Sequence, residues 1–232
     1  MKVVRPASEA EVISGFLKSE YHHREYQRDR QQFESLVMDP DPDSERQNVV
    51  RRELLYRRHA ANWSSLPRDT RWHLCEADPG DISDIRLFQR RPWAGIAAGS
   101  NLVVSDVVQR IRQGGVPRDC AREVAAIQVI AYRMRHHPML FPVLLIGISI
   151  TRPLTILDGN RRLLAAALAG EDLSDPIQVY CGLSSRMAEC YCYGTSRAKQ
   201  WKHDRLLHFQ TAFLKTAVTR WNNVATRLAQ VW

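Results

Sequence analysis

Residues 142–182 constrain the fold more than any other stretch: PVLLIGISITRPLTILDGNRRLLAAALAGEDLSDPIQVYCG. Two short apolar runs, PVLLIGISI and LTILD, are separated by TRP. Runs of this length bounded by turn residues read as neighbouring strands. Asp158-Gly159 then breaks the pattern, and NRRLLAAALA, closed by Gly170, reads as a helix over 160–169. DPIQVYCG (175–182) is a further strand. A strand, strand, helix, strand order with such tight joints calls for a sheet backed by helices. The expected fold class is therefore α/β in the α+β sense, a small mixed sheet with packed helices.

The flanks read differently. Ser8-x-x-Glu11 and Ser44-x-x-Gln47 have the form of capping boxes, so two helical segments are expected to open the chain, divided by DPDPDSE (39–45). Arg51 and Arg58, seven apart in the second helix, lie on nearly one face, as either a basic stripe for phosphates or a solvated helix face. WHLCEA is a first strand ending at Glu76, and an apolar patch follows it before Trp93. SDVVQRIRQGG is a short helix with Ser105 as a cap. RDCAREVAAIQVIAYRMRHHP is a longer helix, with Val124, Ile127, Ala131 and Met134 on one face and Pro138 ending it. A long amphipathic helix is expected over 203–232, with Leu214, Ala217, Trp221, Val224 and Leu228 facing either the protein body or a homodimer seam. The division expected is 1–69 as a helical extension, 70–185 as the central domain, and 186–232 as a loop and a helix packing on it.

At the joint after Asp158, the first N–H groups of the helix lack internal partners and, with the helix dipole, favour an anion. Gly159 allows close approach to the backbone. Arg161 and Arg162 carry fork-shaped donors that match phosphate oxygens. Asp158 is out of place beside a phosphate unless it meets a metal, a ribose hydroxyl or a moving proton. The plainer alternative is a structural turn with Asn160 as N-cap and both arginines in solvent.

The same stretch resembles the core of the ParB/sulfiredoxin-like superfamily. Asp158-Gly159 and Arg162 are similar to the DG-x-x-R form of its small-molecule kinases. Gly159, Arg161, Arg162, Ala165 and Ala166 are similar to the G-x-R-R-x-x-A-A of ParB proteins. The resemblance is clear over 140–182, with weaker similarity back to about residue 72. It implies that Gly159, Asn160, Arg161 and Arg162 hold the phosphates of a nucleotide such as ATP, ADP or CTP, with Mg2+. It also implies Asp158 as a catalytic residue and Glu76 as a general base, although an exposed strand-end acid is the simpler reading of Glu76. The departures are specific. Asn160 stands where ParB proteins have Glu, and the histidines of the kinase and sulfiredoxin motifs are Asn160 and Arg161. No reactive cysteine stands in the turn. The second ParB phosphate motif is not visible after residue 182, and too little chain follows for a helix-turn-helix domain.

Composition narrows the partners. A net charge of +8 and a pI near 9.5 fit either a polyanion partner or an ordinary basic surface. The longest apolar run, PMLFPVLLIGISI, is too short for a bilayer and no leader-like segment opens the chain, so a cytoplasmic protein without a membrane partner is expected. The five cysteines, at 75, 120, 181, 190 and 192, form no even disulfide framework. With His203 they match no zinc spacing, so no metal site is expected and buried thiols are preferred. His22-His23 and His136-His137 chelate poorly as adjacent helical residues. Asp78, Asp81 and Asp84 read as loop and cap residues, and 182–203 as a lid near the site or a packed connection.

Three functions follow. The first is a nucleotide-dependent phosphotransferase, a kinase acting on a small hydroxyl-bearing molecule. The second is a ParB-like nucleic-acid-binding protein or nuclease, for which the basic charge speaks. The third is a nucleotide-gated switch without turnover.

Overall fold

The computed structural model describes residues 1–28, 30–88, 93–98, 102–137, 143–170, 173 and 176–193. The Arg58 side chain and the helix expected over 203–232, with its proposed dimer seam, lie outside the described residues.

The strands are β1 (Lys2–Ala7), β2 (Arg71–Ala77), β3 (Val143–Gly147), β4 (Thr155–Asp158) and β5 (Ile177–Leu183). They form one mixed sheet in the order β1-β2-β5-β3-β4. β3 and β5 run parallel, and the other pairs are antiparallel. The helices are α1 (Glu9–Glu20), α2 (Arg30–Met38), α3 (Glu45–Ser64), α4 (Pro79–Ile82), α5 (Trp93–Ile96), α6 (Val104–Arg112), α7 (Ala121–Met134) and α8 (Asn160–Ala169). Met1–Thr195 is one compact unit. Among the described residues, no helix is long and apolar enough to cross a membrane.

Helices cover both faces of the sheet, which explains the unbroken apolar run of β3. Val143 and Leu145 join Cys75, Val179 and Ile156 in a core with α6, α7 and α8. Leu144 and Ile146 join Trp72, Leu157 and Tyr180 in a second core with α1 and α3. Every residue of β3 is buried. α8 carries the chain over β3, from the edge strand β4 to β5. Its alanines Ala165, Ala166 and Ala169 are buried in the core that α8 shares with the sheet, α6 and α7.

The edges differ in treatment. β4 is sealed beyond its outer side, because the Arg86 N–H donates to the Leu154 carbonyl (2.9 Å) and the Ile156 N–H to the Arg86 carbonyl (2.8 Å). β1 is an exposed edge carrying Lys2, Arg5 and Pro6, residues that discourage further pairing.

Several local expectations change. Residues 1–69 are not helical throughout: Lys2–Ala7 adds β1 to the sheet, with the Glu11 carboxylate of α1 gripping both Arg5 (2.9 and 2.5 Å) and the Tyr180 hydroxyl of β5 (2.8 Å). Ser8 and Ser44 do cap α1 and α3, accepting from the Glu11 and Gln47 N–H groups. Ser105 is not a cap, since α6 begins at Val104 with Val103 before it. Arg51 belongs to neither a phosphate stripe nor a solvated face. It is fully buried, donating to the Leu36 and Asp41 carbonyls and to the Gln47 and Asn48 side chains, so it ties the loop between α2 and α3 to α3.

Candidate functional site

The β4–α8 turn is built by Gly159. It occupies φ 95°, ψ 24°, a left-handed conformation that side chains disfavour. A Cβ there would lie 3.1 and 3.2 Å from the Val143 methyls and 3.3 Å from Arg162 Nη2. Two requirements therefore converge on glycine: backbone direction and room for the neighbouring strand and guanidinium. Gly159 is itself the N-cap, and its carbonyl accepts the Leu163 N–H at 2.9 Å. The reading of Asn160 as N-cap is thus corrected. Asn160 is the first helical residue, only 5% exposed, and its Oδ1 is buried with no hydrogen-bond partner among the described residues. A buried acceptor left unpaired costs about 1–3 kcal/mol. It is the kind of atom that a ligand donor or a bound water completes.

The two arginines are held by different carboxylates. Arg162 Nη2 donates to Asp158 Oδ2 at 2.8 Å, and this pair straddles Gly159. Both side chains are largely shielded, at 18% and 15% exposure. Arg161 reaches the other way, holding Glu123 Oε2 in the first turn of α7 through Nε (2.7 Å) and Nη2 (2.6 Å). The solvated-arginine reading is therefore corrected for Arg162, while the outer part of Arg161 remains exposed. Glu123 escaped the sequence reading because an acid in the first turn of a helix is ordinary dipole chemistry.

Asp158, Gly159, Asn160 and Arg162 thus meet at the turn, the Arg161 side chain turns away to Glu123, and Glu76 lies elsewhere. Glu76 sits on β2, separated from β4 by β5 and β3, which at ordinary strand spacing is about 14 Å. Its neighbours Cys75 and Ala77 pack in the core beneath α8, so Glu76 projects from the opposite face. There it accepts from Lys2 Nζ at 3.2 Å. Asp78 and Asp81 form a reciprocal cap on α4. His22, His136 and His137 are exposed, and no group of three acids, histidines or cysteines suited to a metal occurs among the described residues. In the stretch after β5, the described part is a packed connection: Ser184 donates to Asp69 (2.9 Å), Tyr193 to the Pro153 carbonyl (3.1 Å), and Met187, Cys190 and Cys192 are buried.

Chemically, the turn offers a helix N-terminus, one shielded guanidinium already neutralised by a carboxylate, and one unpaired amide oxygen. No family model matches the chain, and no curated protein or solved structure does.

Proposed function

We propose that this chain is a nucleotide-binding protein of ParB/sulfiredoxin-like fold that holds phosphate at the β4–α8 turn and acts as a phosphotransferase on a small hydroxyl-bearing molecule. The observation that carries the reading is the Asp158–Arg162 pair clasped across a left-handed glycine at a helix N-terminus. In the bound state the phosphate takes the guanidinium from Asp158. The N–H groups at the start of α8 add donors, and Arg161 supplies a second cation beside Glu123. Asp158, once released, is a carboxylate within reach of the phosphates, placed to accept a hydroxyl proton or to meet a cation. Mg2+ would find one protein ligand there, Asp158, with phosphate oxygens and water completing its shell. ATP, ADP and CTP all satisfy these requirements.

With Glu76 on the far face, Asp158 is the carboxylate best placed to act at the turn. This also favours a second reading, a nucleotide-gated switch, because a clasp that opens for phosphate couples binding to the β4–α8 joint without chemistry. A nucleotide-consumption assay over hydroxylated metabolites separates the two. Consumption that collapses in Asp158→Asn while nucleotide still binds supports the phosphotransferase. Tight binding without consumption by wild type supports the switch. Salt-sensitive binding of nucleic acid, untouched by Arg162→Ala, would move the function to the basic surface instead.

A further inference from the structure

Helix α7 is apolar on two faces. Its inner face, with Val124, Ile127, Ala131 and Met134, packs into the core shared with the sheet and α8. Its outer face carries Ala125, Val129 and Tyr132, a second stripe at helical spacing. This stripe faces solvent: Val129 is 54% exposed and Tyr132 65%. The Tyr132 ring stands edge-on to His136, with centroids 5.1 Å apart, so its position is already set. Arg122 and Arg133, both exposed, lie at the two ends of the stripe on the same side of the helix. Glu123, the only acid of α7, turns away to hold Arg161. The outer face is therefore apolar in the middle and cationic at both ends. Tyrosine and arginine are the residues that most often carry the energy of protein interfaces. A helix that is apolar on both sides is built to be covered.

The opposite charge lies across the sheet. The loop from α2 to α3 carries Asp39, Asp41, Asp43 and Glu45, all exposed. Met38 before it is 51% exposed, and Val49 in α3 is 47% exposed. This loop is rigidly held. The buried Arg51 donates to the Leu36 and Asp41 carbonyls, and Asn48 Nδ2 to the Pro42 carbonyl at 2.8 Å. Ser44 caps α3. The backbone is thus tied inward by α3, and the acidic side chains are left outside. Holding them in place beforehand lowers the entropic cost of docking. α2 and α3 pack in the core on the other face of the sheet from α7, so one copy does not bring its own loop to its own α7.

We propose that the outer face of α7 docks the Met38–Glu45 loop of a second copy of this chain, so that copies associate head to tail. Arg122 and Arg133 meet the aspartates, and Val129 and Tyr132 cover Met38. The contact is heterologous, and it extends into short chains unless the rotation between copies closes a ring. A symmetric pairing of α7 with α7 is disfavoured, because it brings arginines to a face that offers no acid. The net charge of +8 opposes association at long range, but salt near physiological strength screens charges beyond about 8 Å, and the docked pairs are closer than that.

The test is sedimentation velocity of the full chain over rising concentration, with two double variants. Tyr132→Ala with Arg133→Ala removes the α7 surface, and Asp39→Ala with Asp43→Ala removes the loop surface. All four positions are exposed, so the urea midpoints should match wild type. The mass of wild type should rise with concentration, and each variant should associate at least about tenfold more weakly. Each variant keeps the surface that the other lacks, so an equimolar mixture should form heterodimers and stop there. The proposal is overturned if wild type stays monomeric up to its solubility limit. It is equally overturned if the loop variant associates like wild type, or if the mixture stays monomeric. A single-stranded oligonucleotide that binds monomeric wild type, but not the α7 variant, would assign this face to nucleic acid and overturn it as well.

Discussion

Asp158→Asn is expected to move stability and phosphate affinity in opposite directions. The substitution keeps the size of the side chain and removes the charge that holds Arg162 at 2.8 Å. Both groups are mostly shielded from solvent, so the pair is worth more than a surface ion pair, and a charge-assisted hydrogen bond contributes about 1.5–3 kcal/mol. Asparagine retains a weaker bond through its carbonyl, so a loss of stability of about 1–2 kcal/mol is expected. On the proposed phosphate reading, a phosphate entering the wild-type site must displace the Asp158 carboxylate before it gains the guanidinium. Without that competition, binding strengthens by up to the same amount, about 5- to 30-fold in Kd. Urea denaturation measures the first quantity, and calorimetric titration with ATP, ADP and CTP the second. If affinity falls in step with stability, Asp158 supports the ligand site instead of competing for Arg162, and the clasp mechanism is wrong.

Gly159→Ala should destabilise the protein by about 1–2 kcal/mol from its left-handed backbone alone, and by more if Val143 and Arg162 cannot give way; a denaturation midpoint equal to wild type would contradict the geometry of the turn. Arg51→Ala should cost about 3–5 kcal/mol, because it empties a fully buried position and orphans two backbone carbonyls, whereas a phosphate-binding role would show as lost affinity at unchanged stability. Glu11 links β1, α1 and β5, and its carboxyl is held below its ordinary value of 4.5, chiefly by the Arg5 hydrogen bond and also by the Tyr180 hydroxyl. Its contribution is therefore complete above pH 4.5 and is lost as pH falls through the lower folded value. Glu11→Gln should accordingly flatten the acid limb of a stability-versus-pH curve.

The sequence carried the central frame because hydrophobic pattern and turn chemistry agreed there. Strand-length runs, an Asp-Gly joint and an alanine-rich helix left few arrangements open, and β3, β4, α8 and β5 follow that pattern. β1 was hidden because a six-residue edge strand with exposed valines and a proline lacks the alternation of a half-buried strand. Arg51 was misread because spacing reports which face of a helix a residue occupies, while burial depends on what packs there, here the loop after α2. The turn's residue types were legible, but their pairing was not. Arg162 meets Asp158 at a spacing of four within one chain segment, whereas Arg161 meets Glu123 across 38 residues, and nothing local marks that partner. The Ser65–Cys190 contact spans 125 residues and was invisible for the same reason.

We propose that the β4–α8 turn holds the phosphates of a nucleotide through Arg162. Calorimetric titration of wild type, Arg162→Ala and Arg162→Lys with ATP, ADP and CTP in the presence of Mg2+ tests it most directly. Wild type is expected to bind saturably, and Arg162→Ala to lose about 1.5–3 kcal/mol, roughly 10- to 150-fold in Kd. Arg162→Lys should recover only part of that loss, since a point charge does not replace the fork. Wild-type binding that Arg162→Ala leaves unchanged, in a protein whose fold is intact by circular dichroism, would contradict it.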